Sequence, residues 1–416
     1  MTDPHDRRSS GIRRRLPRWS DIEPLMALQV PRFRRSARLA AAADIRDLRR
    51  LARRRAPRAV FDYVDGAADS EVSLRRDRRA YRDVVLRPQV LRDVSKVDLS
   101  RTILGRRSAS PIVLAPTGFT RMMHTAGEPA IARSAAAHGL PYALSTMGTT
   151  SPEDLRTAAP DGRHWFQLYV WNDRSASESL LARARQSGFD VLVLTVDNPV
   201  PGSRLRDVRN GLTVPPRLTI STLVDMALHP SWWMDLLSTE PLVYASLTAF
   251  DGSLAELTAQ MFDPSVTFDE IAWLREHWDG PLVVKGLQTV EDARRALDHG
   301  ADALAISNHG GRQLDRSPTP LLELPAIRAA VGDDVEIYID GGILNGGDVV
   351  AAVAAGATAV MIGRIYLYGL MAGGEAGVDR ALTIVTEELK RTLQLLGVTS
   401  VDELRPEHVT LPTRSP

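Results

Sequence analysis

Cysteine is absent from all 416 residues. Disulfide scaffolds, thiolate metal sites and cysteine nucleophiles are therefore excluded. No uncharged apolar stretch reaches about 18 residues, so no membrane-spanning helix is expected. No apolar run of about 7 to 15 residues follows the early arginines, which argues against a secretory leader. Net charge is nearly lacking too, at +1. With hydrophobics at 44% and charged residues at 25%, the composition is that of a globular chain, neither disordered nor fibrous. The length suits two or three domains, or one large α/β barrel with a sizeable core. The cytoplasm is the default compartment.

The small net charge hides an asymmetry. Residues 1–58 carry 17 Arg against six acids, Asp3, Asp6, Asp21, Glu23, Asp44 and Asp47, so the remainder sums to −10. A basic arm over residues 1–42, poorly ordered or loosely draped, is expected ahead of a folded domain spanning 43–410. Such an arm can meet phosphates of nucleic acid or lipid; the plainer reading is a solvated tail leading into an Arg-rich amphipathic helix. From Ala43 the spacing of Ile45, Leu48, Leu51 and Ala52 predicts that helix.

Past residue 110, short apolar, β-branched runs alternate with Ala- and Arg-rich helical stretches. The runs are Ile112–Thr117, Tyr142–Thr146, Trp165–Val170, Val191–Asp197, Leu282–Gly286, Ala303–Asn308, Glu336–Gly342 and Ala359–Arg364. The helical stretches include Glu128–His138, Ala176–Gln186, Val290–His299 and Gly347–Ala355. Strands separated by helices pair in parallel, and eight such units close naturally into a (β/α)8 barrel of the TIM type. The rhythm breaks once, between the fourth and fifth runs, where an insertion at about 203–265 is long enough to be a lid or docking element. Its middle, Leu218–Leu237, places Trp232 and Trp233 among aliphatics. That composition fits an interfacial membrane segment, or equally a lid helix packed on the barrel or on a neighbouring subunit.

Reactive groups of a parallel barrel gather where its strands end. Each run ends in residues suited to that rim: Thr117-Gly118, Ser145-Thr146, Gln167 with Tyr169, Thr195 with Asp197, Lys285, Ser307-Asn308-His309, Asp340-Gly341-Gly342 and Gly363-Arg364. Any one of these suits an ordinary turn; eight together point to a site. The Gly-rich ends of the last two runs suit a phosphate, through backbone N–H groups and a helix N-terminus. The most specific segment is Ser307 to Asp315, with His309 and Arg312 three residues apart around two glycines. The imidazole suits a general base and the guanidinium a carboxylate.

At this segment the sequence resembles the FMN-dependent L-2-hydroxy acid oxidizing family, which includes glycolate oxidase, lactate oxidase and mandelate dehydrogenase. Within it the chain is most similar to bacterial FMN-dependent L-lactate dehydrogenases. The resemblance rests on Phe61-Asp62-Tyr63, Ala115-Pro116-Thr117, Phe166 to Tyr169, Leu194 to Asp197, Val284-Lys285-Gly286, Ser307 to Asp315, Asp340-Gly341-Gly342 and Ile362-Gly363-Arg364. It implies His309 as catalytic base and Asp197 as the carboxylate that orients it. It implies Arg204 and Arg312 as the clamp on the substrate carboxylate, with the Tyr63 and Tyr169 hydroxyls on the substrate oxygens. Pro116, Thr117, Gly118, Thr146, Gln167, Thr195 and Ser307 match flavin-ring and ribityl contacts, and Lys285 the cation beside the flavin N1–O2 edge. Asp340, Gly341, Gly342, Gly363 and Arg364 match the ribityl and phosphate end. No metal is implied.

Two positions depart from the family pattern. Leu344 and Asn345 stand where many relatives carry a phosphate-holding Arg, so phosphate binding is expected to rest on Arg364 and backbone N–H groups. Met147 stands where a bulky aromatic is common, which alters the pocket wall. The expected reaction is oxidation of L-lactate, or a close 2-hydroxy acid, to pyruvate, with electrons passing to a membrane quinone or, second, to oxygen. No haem-binding stretch precedes the barrel, so an internal cytochrome acceptor is not expected. An FMN-barrel isomerase or peptide maturase is the competing class; nucleic-acid binding has no recognised module behind it. The resemblance also implies a homo-oligomer, a tetramer, and the Trp pair a peripheral contact with the inner face of the cell membrane.

Overall fold

A computed structural model describes residues 15–23, 35–212, 218–245 and 263–413. Residues 1–14 and 24–34 of the expected arm, and 213–217 and 246–262 of the expected insertion, lie outside the described residues.

All eight expected runs form strands: β1 (Ile112–Leu114), β2 (Tyr142–Ser145), β3 (His164–Leu168), β4 (Val191–Thr195), β5 (Leu282–Leu287), β6 (Ala303–Ile306), β7 (Glu336–Ile339) and β8 (Ala359–Ile362). Each pairs in parallel with its neighbour, and Met361 of β8 registers with Val113 of β1, closing the barrel. The strands read as unbroken apolar runs because both faces are buried, one by the barrel interior and one by helices. Inward-facing Val113, Ala143, Trp165, Val193, Val283 and Tyr338 belong to one cluster. Trp165 meets Tyr338 edge-on at 5.6 Å between centroids. Outward-facing Leu114, Leu144, Phe166 and Leu194 join the larger helix-covered core. The strands stop two or three residues short of most expected runs, and those trailing residues are the rim loops.

The bottom of the barrel is shut by a hairpin, Arg101–Ile103 with Arg106–Ser108. Its Ile103 is fully buried in the inner cluster. Glu336 at the start of β7 accepts from Leu104 N at 2.9 and 3.0 Å, and Arg163 donates to Ile103 O at 2.7 Å, so the turn is stapled from two sides.

Ahead of the barrel, helices α1 (Ile45–Arg55), α2 (Arg58–Asp65) and α3 (Val72–Arg82) wrap the rim. The Asp44 carboxylate caps α1 by accepting from Asp47 N at 2.8 Å, and arginines 53–55 sit at its electronegative end. The expected face of α1 is inward, with Ile45, Leu48 and Ala52 buried and Leu51 partly so. It packs on α8 (Arg364–Gly373) and α9 (Glu375–Leu396). The chain is already anchored before it: Leu39 is buried and lies against Gly373, where a Cβ would come within 2.7 Å.

The insertion begins with α4 (Leu205–Asn210) and continues as two helices, α5 (Ile220–Ala227) and α6 (Pro230–Leu237). The break falls at Leu228-His229, because Pro230 cannot continue the preceding turn. The adjacent tryptophans part company: Trp232 is buried and donates from Nε1 to Met122 O at 2.7 Å, while Trp233 is 36% exposed. Asp225 accepts from Arg58 N at 2.6 Å and Asp235 pairs with Arg55 at 2.7 Å, tying both helices to the N-terminal layer.

Ile103→Ala is expected to cost about 2 to 5 kcal/mol, because its cavity opens in a close-packed barrel floor. Urea unfolding measures it as a lower midpoint at unchanged slope; a loss below about 1 kcal/mol would show that the hairpin is not part of the core.

Candidate active site

The rim residues converge. His309 follows β6 in a turn where His309, Gly310 and Gly311 have φ of +57°, +63° and +76°. Three left-handed residues in succession are strained, least so for glycine. Asn308 holds them: its Oδ1 accepts from Gly311 N at 3.1 Å, and its Nδ2 donates to Asp77 Oδ2 at 2.8 Å. His309 N donates to Ser307 Oγ at 3.0 Å. The ring is thereby aimed at Asp197, with Nδ1 2.9 Å from Oδ1, which leaves Nε2 for a ligand. Burial alone would raise the Asp197 carboxyl, but His309 and Lys285 hold it below the ordinary range. This approach requires glycine at 286, where a bulge in β5 gives φ +116° and a Cβ would lie 2.7 Å from the Asp197 Cβ.

Two guanidiniums lie over Tyr63, and the Tyr169 hydroxyl is within electrostatic range of both of them and of Asp197. Arg312 Cζ lies 4.9 Å and Arg204 Cζ 5.7 Å from the Tyr63 ring centroid. Arg312 donates to the Tyr63 carbonyl, and Arg204 Nε to Asp207 at 2.8 Å. Burial pushes Arg312 down to about 10, and Arg204 beside it adds to the fall. Two cations so placed repel each other until an anion lies between them, so the arrangement suits a carboxylate. Burial, with Asp197 and Tyr63 nearby, raises the Tyr169 hydroxyl, which keeps it a donor at neutral pH.

Among the described residues, buried polar atoms at three strand ends have no hydrogen-bond partner: Gln167 Nε2, Thr195 Oγ1 and Asp340 Oδ1. Gln167 Oε1 is already engaged by Ser145 Oγ at 3.0 Å and Thr146 N at 3.3 Å, so only its amide nitrogen is left. Lys285 is buried between Asp340, at 2.9 Å, and Ser307, at 2.8 Å. Burial opposes its charge, but Asp340 and Asp197 outweigh that and raise it above the ordinary lysine value. Orphaned buried donors and acceptors are expensive in a finished core. Around a planar heteroaromatic ring they become its partners, so these residues fit the flavin.

The residues expected at the phosphate end are Asp340-Gly341-Gly342, with glycine φ of +88° and +85°, and Gly363 at the N-terminus of α8. A Cβ on Gly363 would meet nothing nearer than Thr117 at 3.8 Å. The orphan N–H groups of the first helical turn open there. Arg364 is turned partly away: it donates to the carbonyls of Val64 (3.0 Å), Gly310 (3.0 Å) and Gly66 (2.8 Å). It thus ties the start of α8 to the His309 turn, and among the described residues these bonds use three of its five N–H groups. Among the flavin-ring candidates near β1, Thr117 Oγ1 shares a 2.7 Å hydrogen bond with Tyr366, and Gly118 lies under Met147.

Three contributors escaped the sequence reading. Asp77 lies in an Arg-rich helical stretch that reads as a solvated face, yet it is buried under Asn308 and Gly341-Gly342. Tyr244 sits in an aperiodic stretch; it packs edge-on against Phe119 at 4.5 Å, close enough to Tyr63 and Arg204 for their charges to act on its hydroxyl. Arg206, two residues past Arg204, joins three carboxylates.

Comparison with known proteins agrees with this geometry. The family model described as FMN-dependent dehydrogenase matches residues 52–411. The chain is 53% identical over 401 residues to a putative L-lactate dehydrogenase of Mycobacterium tuberculosis, covering 96% of this chain and 97% of that one. It is 44% identical over 362 residues to an L-lactate dehydrogenase of Caulobacter vibrioides, covering 85% and 94%. Among solved structures, a monotopic membrane (S)-mandelate dehydrogenase superposes with a TM-score of 0.86 at 35% identity, covering 89% of this chain and all of that one. A mandelate oxidase does so with a TM-score of 0.78 at 37% identity, covering 89% and 99%.

Asp77 gives a pH signature. Burial pushes it up to about 7 against hydrogen bonds from Asn308 and Thr319, with Asp340 adding to the rise. A carboxyl raised by folding stabilises fully below its unfolded value of about 4 and loses that contribution as pH climbs through its folded value. Asp77→Asn should therefore flatten the fall in thermal midpoint of the flavin-loaded protein between about pH 5 and about pH 8. Identical slopes in wild type and variant would show that Asp77 ionises normally.

Proposed function

The chain belongs to the FMN-dependent dehydrogenase family, and on that premise we propose that it oxidises L-lactate, or a close small 2-hydroxy acid, to the 2-oxo acid and passes the electrons to a quinone. FMN is its cofactor. One observation carries the reading: a histidine–carboxylate pair 2.9 Å apart and two guanidiniums over one tyrosine ring, with the Tyr169 hydroxyl in electrostatic range of Asp197 and of both arginines. The relatives named for L-lactate span nearly the whole chain and support the small substrate. The Phe119–Tyr244 pair supports it too, as bulk within electrostatic range of Tyr63 and Arg204.

In this reading the substrate carboxylate lies between Arg204 and Arg312 and relieves their repulsion. The α-hydroxyl then points to His309 Nε2, with the Tyr63 and Tyr169 hydroxyls on its oxygens. Bound FMN supplies the acceptor for two electrons and the hydrogen of the α-carbon. His309 takes the hydroxyl proton, and Asp197, already ionised, stabilises the imidazolium that results. Lys285 presents fixed positive charge at the strand ends, where negative charge arrives. Pro116, Thr117, Gly118, Thr146, Gln167, Thr195 and Ser307 hold the ring and ribityl chain. Asp340, Gly341, Gly342, Gly363 and Arg364 hold the phosphate end.

His309→Gln should lower the rate of anaerobic flavin bleaching by L-lactate about 10²- to 10⁴-fold while FMN stays bound, because proton abstraction contributes that much. Bleaching at the wild-type rate would remove His309 from the reaction. Stopped-flow reoxidation tests the acceptor: fast reaction with oxygen and none with quinone analogues would overturn the quinone.

Among the described residues no helix is long and apolar enough to cross a membrane. We place the protein instead on the inner surface of the cell membrane through α5 and α6, where Ile220 is 82% and Leu237 76% exposed, with Leu223, Val224, Leu228 and Met234 also open to solvent. Contiguous apolar surface of this kind marks an interaction site, and a monotopic neighbour supports it. Ile220→Asp and Leu237→Asp should each weaken sedimentation with phosphatidylglycerol vesicles about tenfold, the worth of one large apolar side chain, and leave bleaching by L-lactate unchanged. Undiminished vesicle binding would move the contact elsewhere.

A further inference from the structure

Arg204 and Tyr63 come from separate elements, and nothing in Arg204's own ion pair fixes their distance. Its Nε bonds Asp207 within the same short helix, α4, so that contact travels with the helix. The contact between α4 and the Tyr63 helix, α2, runs through the next arginine. Arg206 Nη1 lies 3.3 Å from Asp62 Oδ1 and 3.2 Å from Asp65 Oδ2, and its Nη2 lies 2.5 Å from Glu71 Oε2. Asp62 and Asp65 flank Tyr63 on α2. Glu71 stands at φ +58° and accepts from Ala67 N at 3.1 Å through its other oxygen, closing the segment that follows.

The same segment meets the rest of the clamp. Gly66 O accepts from Arg364 at 2.8 Å, and Ala68 N donates to Gly311 O at 2.8 Å, beside Arg312. Weaker ties join α4 to its surroundings: Asn210 Nδ2 to Asp62 at 3.0 Å, Asp69 N to Ser203 O at 2.7 Å, and Gly202 N to Gln313 at 2.8 Å. Of these ties, only the Arg206 fork is ionic, and it engages three carboxylates at once. Asp65 has other partners, Arg49 at 2.6 Å and the Tyr368 hydroxyl at 2.7 Å. Glu71's only ion pair among the described residues is with Arg206.

We infer that Arg206 is a positioning residue for the substrate carboxylate: its fork to Asp62, Asp65 and Glu71 sets the spacing of Arg204 from Tyr63 and Arg312. The inference rests on the reading of Arg204, Tyr63 and Arg312 as the clamp. Planarity suits the task, since a guanidinium can face two elements at fixed angles and an ammonium cannot. Arg206 touches neither substrate nor flavin, so its loss shows in substrate affinity before it shows in chemistry.

The test is anaerobic reduction of the holoenzyme by L-lactate, separating half-saturation from limiting rate. Arg206→Ala should raise half-saturation about tenfold, since small misplacement of a clamp is costly, and keep the limiting rate within about twofold. The Kd of oxalate, read from the flavin absorbance band, should rise by the same factor. Arg206→Lys should recover part of both, which a general loss of stability would not show. Unchanged half-saturation and oxalate affinity, or equal loss of rate and affinity without rescue by Lys, would overturn the inference. Should Arg206→Ala not fold, Glu71→Gln replaces it, with about a threefold rise expected and no change as the refuting result. Failure of the wild-type enzyme to be reduced by any small 2-hydroxy acid would sink the functional reading instead, while the oxalate comparison would still judge Arg206.

Discussion

The hydrogen bond between His309 and Asp197 depends on the barrel being closed and on one missing side chain. The two residues follow β6 and β4, with β5 between them. They meet at 2.9 Å because Gly286 takes a bulged, positive-φ conformation that no Cβ would share with Asp197. From this bond follow the direction of the imidazole, the ionised state of the carboxylate and the side from which a ligand enters. The left-handed turn carrying His309 is held by Asn308 and Asp77, so the imidazole is aimed by a buried polar chain rather than by exposed loop contacts.

Charge is arranged around this centre at different depths. Lys285 is sunk among strand ends with Asp340 and Ser307; Arg312 and Arg204 lie over Tyr63; Arg364 reaches across to the carbonyls of the N-terminal layer. Each of these cations has a partner within the chain. Repulsion between Arg204 and Arg312 and the orphaned atoms of Gln167, Thr195 and Asp340 are costs of the protein by itself. A carboxylate between the arginines and a flavin at the strand ends would offset them, as expected of a site organised before its ligands arrive.

The barrel was legible because parallel strands must be apolar on both faces, so eight short β-branched runs stood out against Arg-rich helices. The polar residues ending those runs were legible as a rim for the same reason. Elsewhere pattern misled. Trp232 and Trp233 read as one apolar unit, yet Pro230 restarts the helix just before them and the step of about 100° between neighbouring helical residues turns one to Met122 O and the other to solvent. Asp77 looked like one more charge on an Arg-rich helix, yet the turn after β6 and the Gly341-Gly342 pair close over it. Arg364 looked like a phosphate ligand pure and simple, yet three of its N–H groups serve carbonyls of distant segments.

What the order of amino acids determined by itself was the repeating unit and the kind of chemistry: which residues are strand, which helix, and which polar types stand at each strand end. Those follow from periodicity and residue type, which are local. Only the tertiary structure decided which of them touch. The distance from His309 to Asp197, the facing of Arg204 and Arg312 across Tyr63, and the joining of α2 to α4 by Arg206 are contacts between residues far apart in sequence. Such contacts are set by barrel closure and by the packing of the N-terminal helices on the rim, which no local pattern encodes.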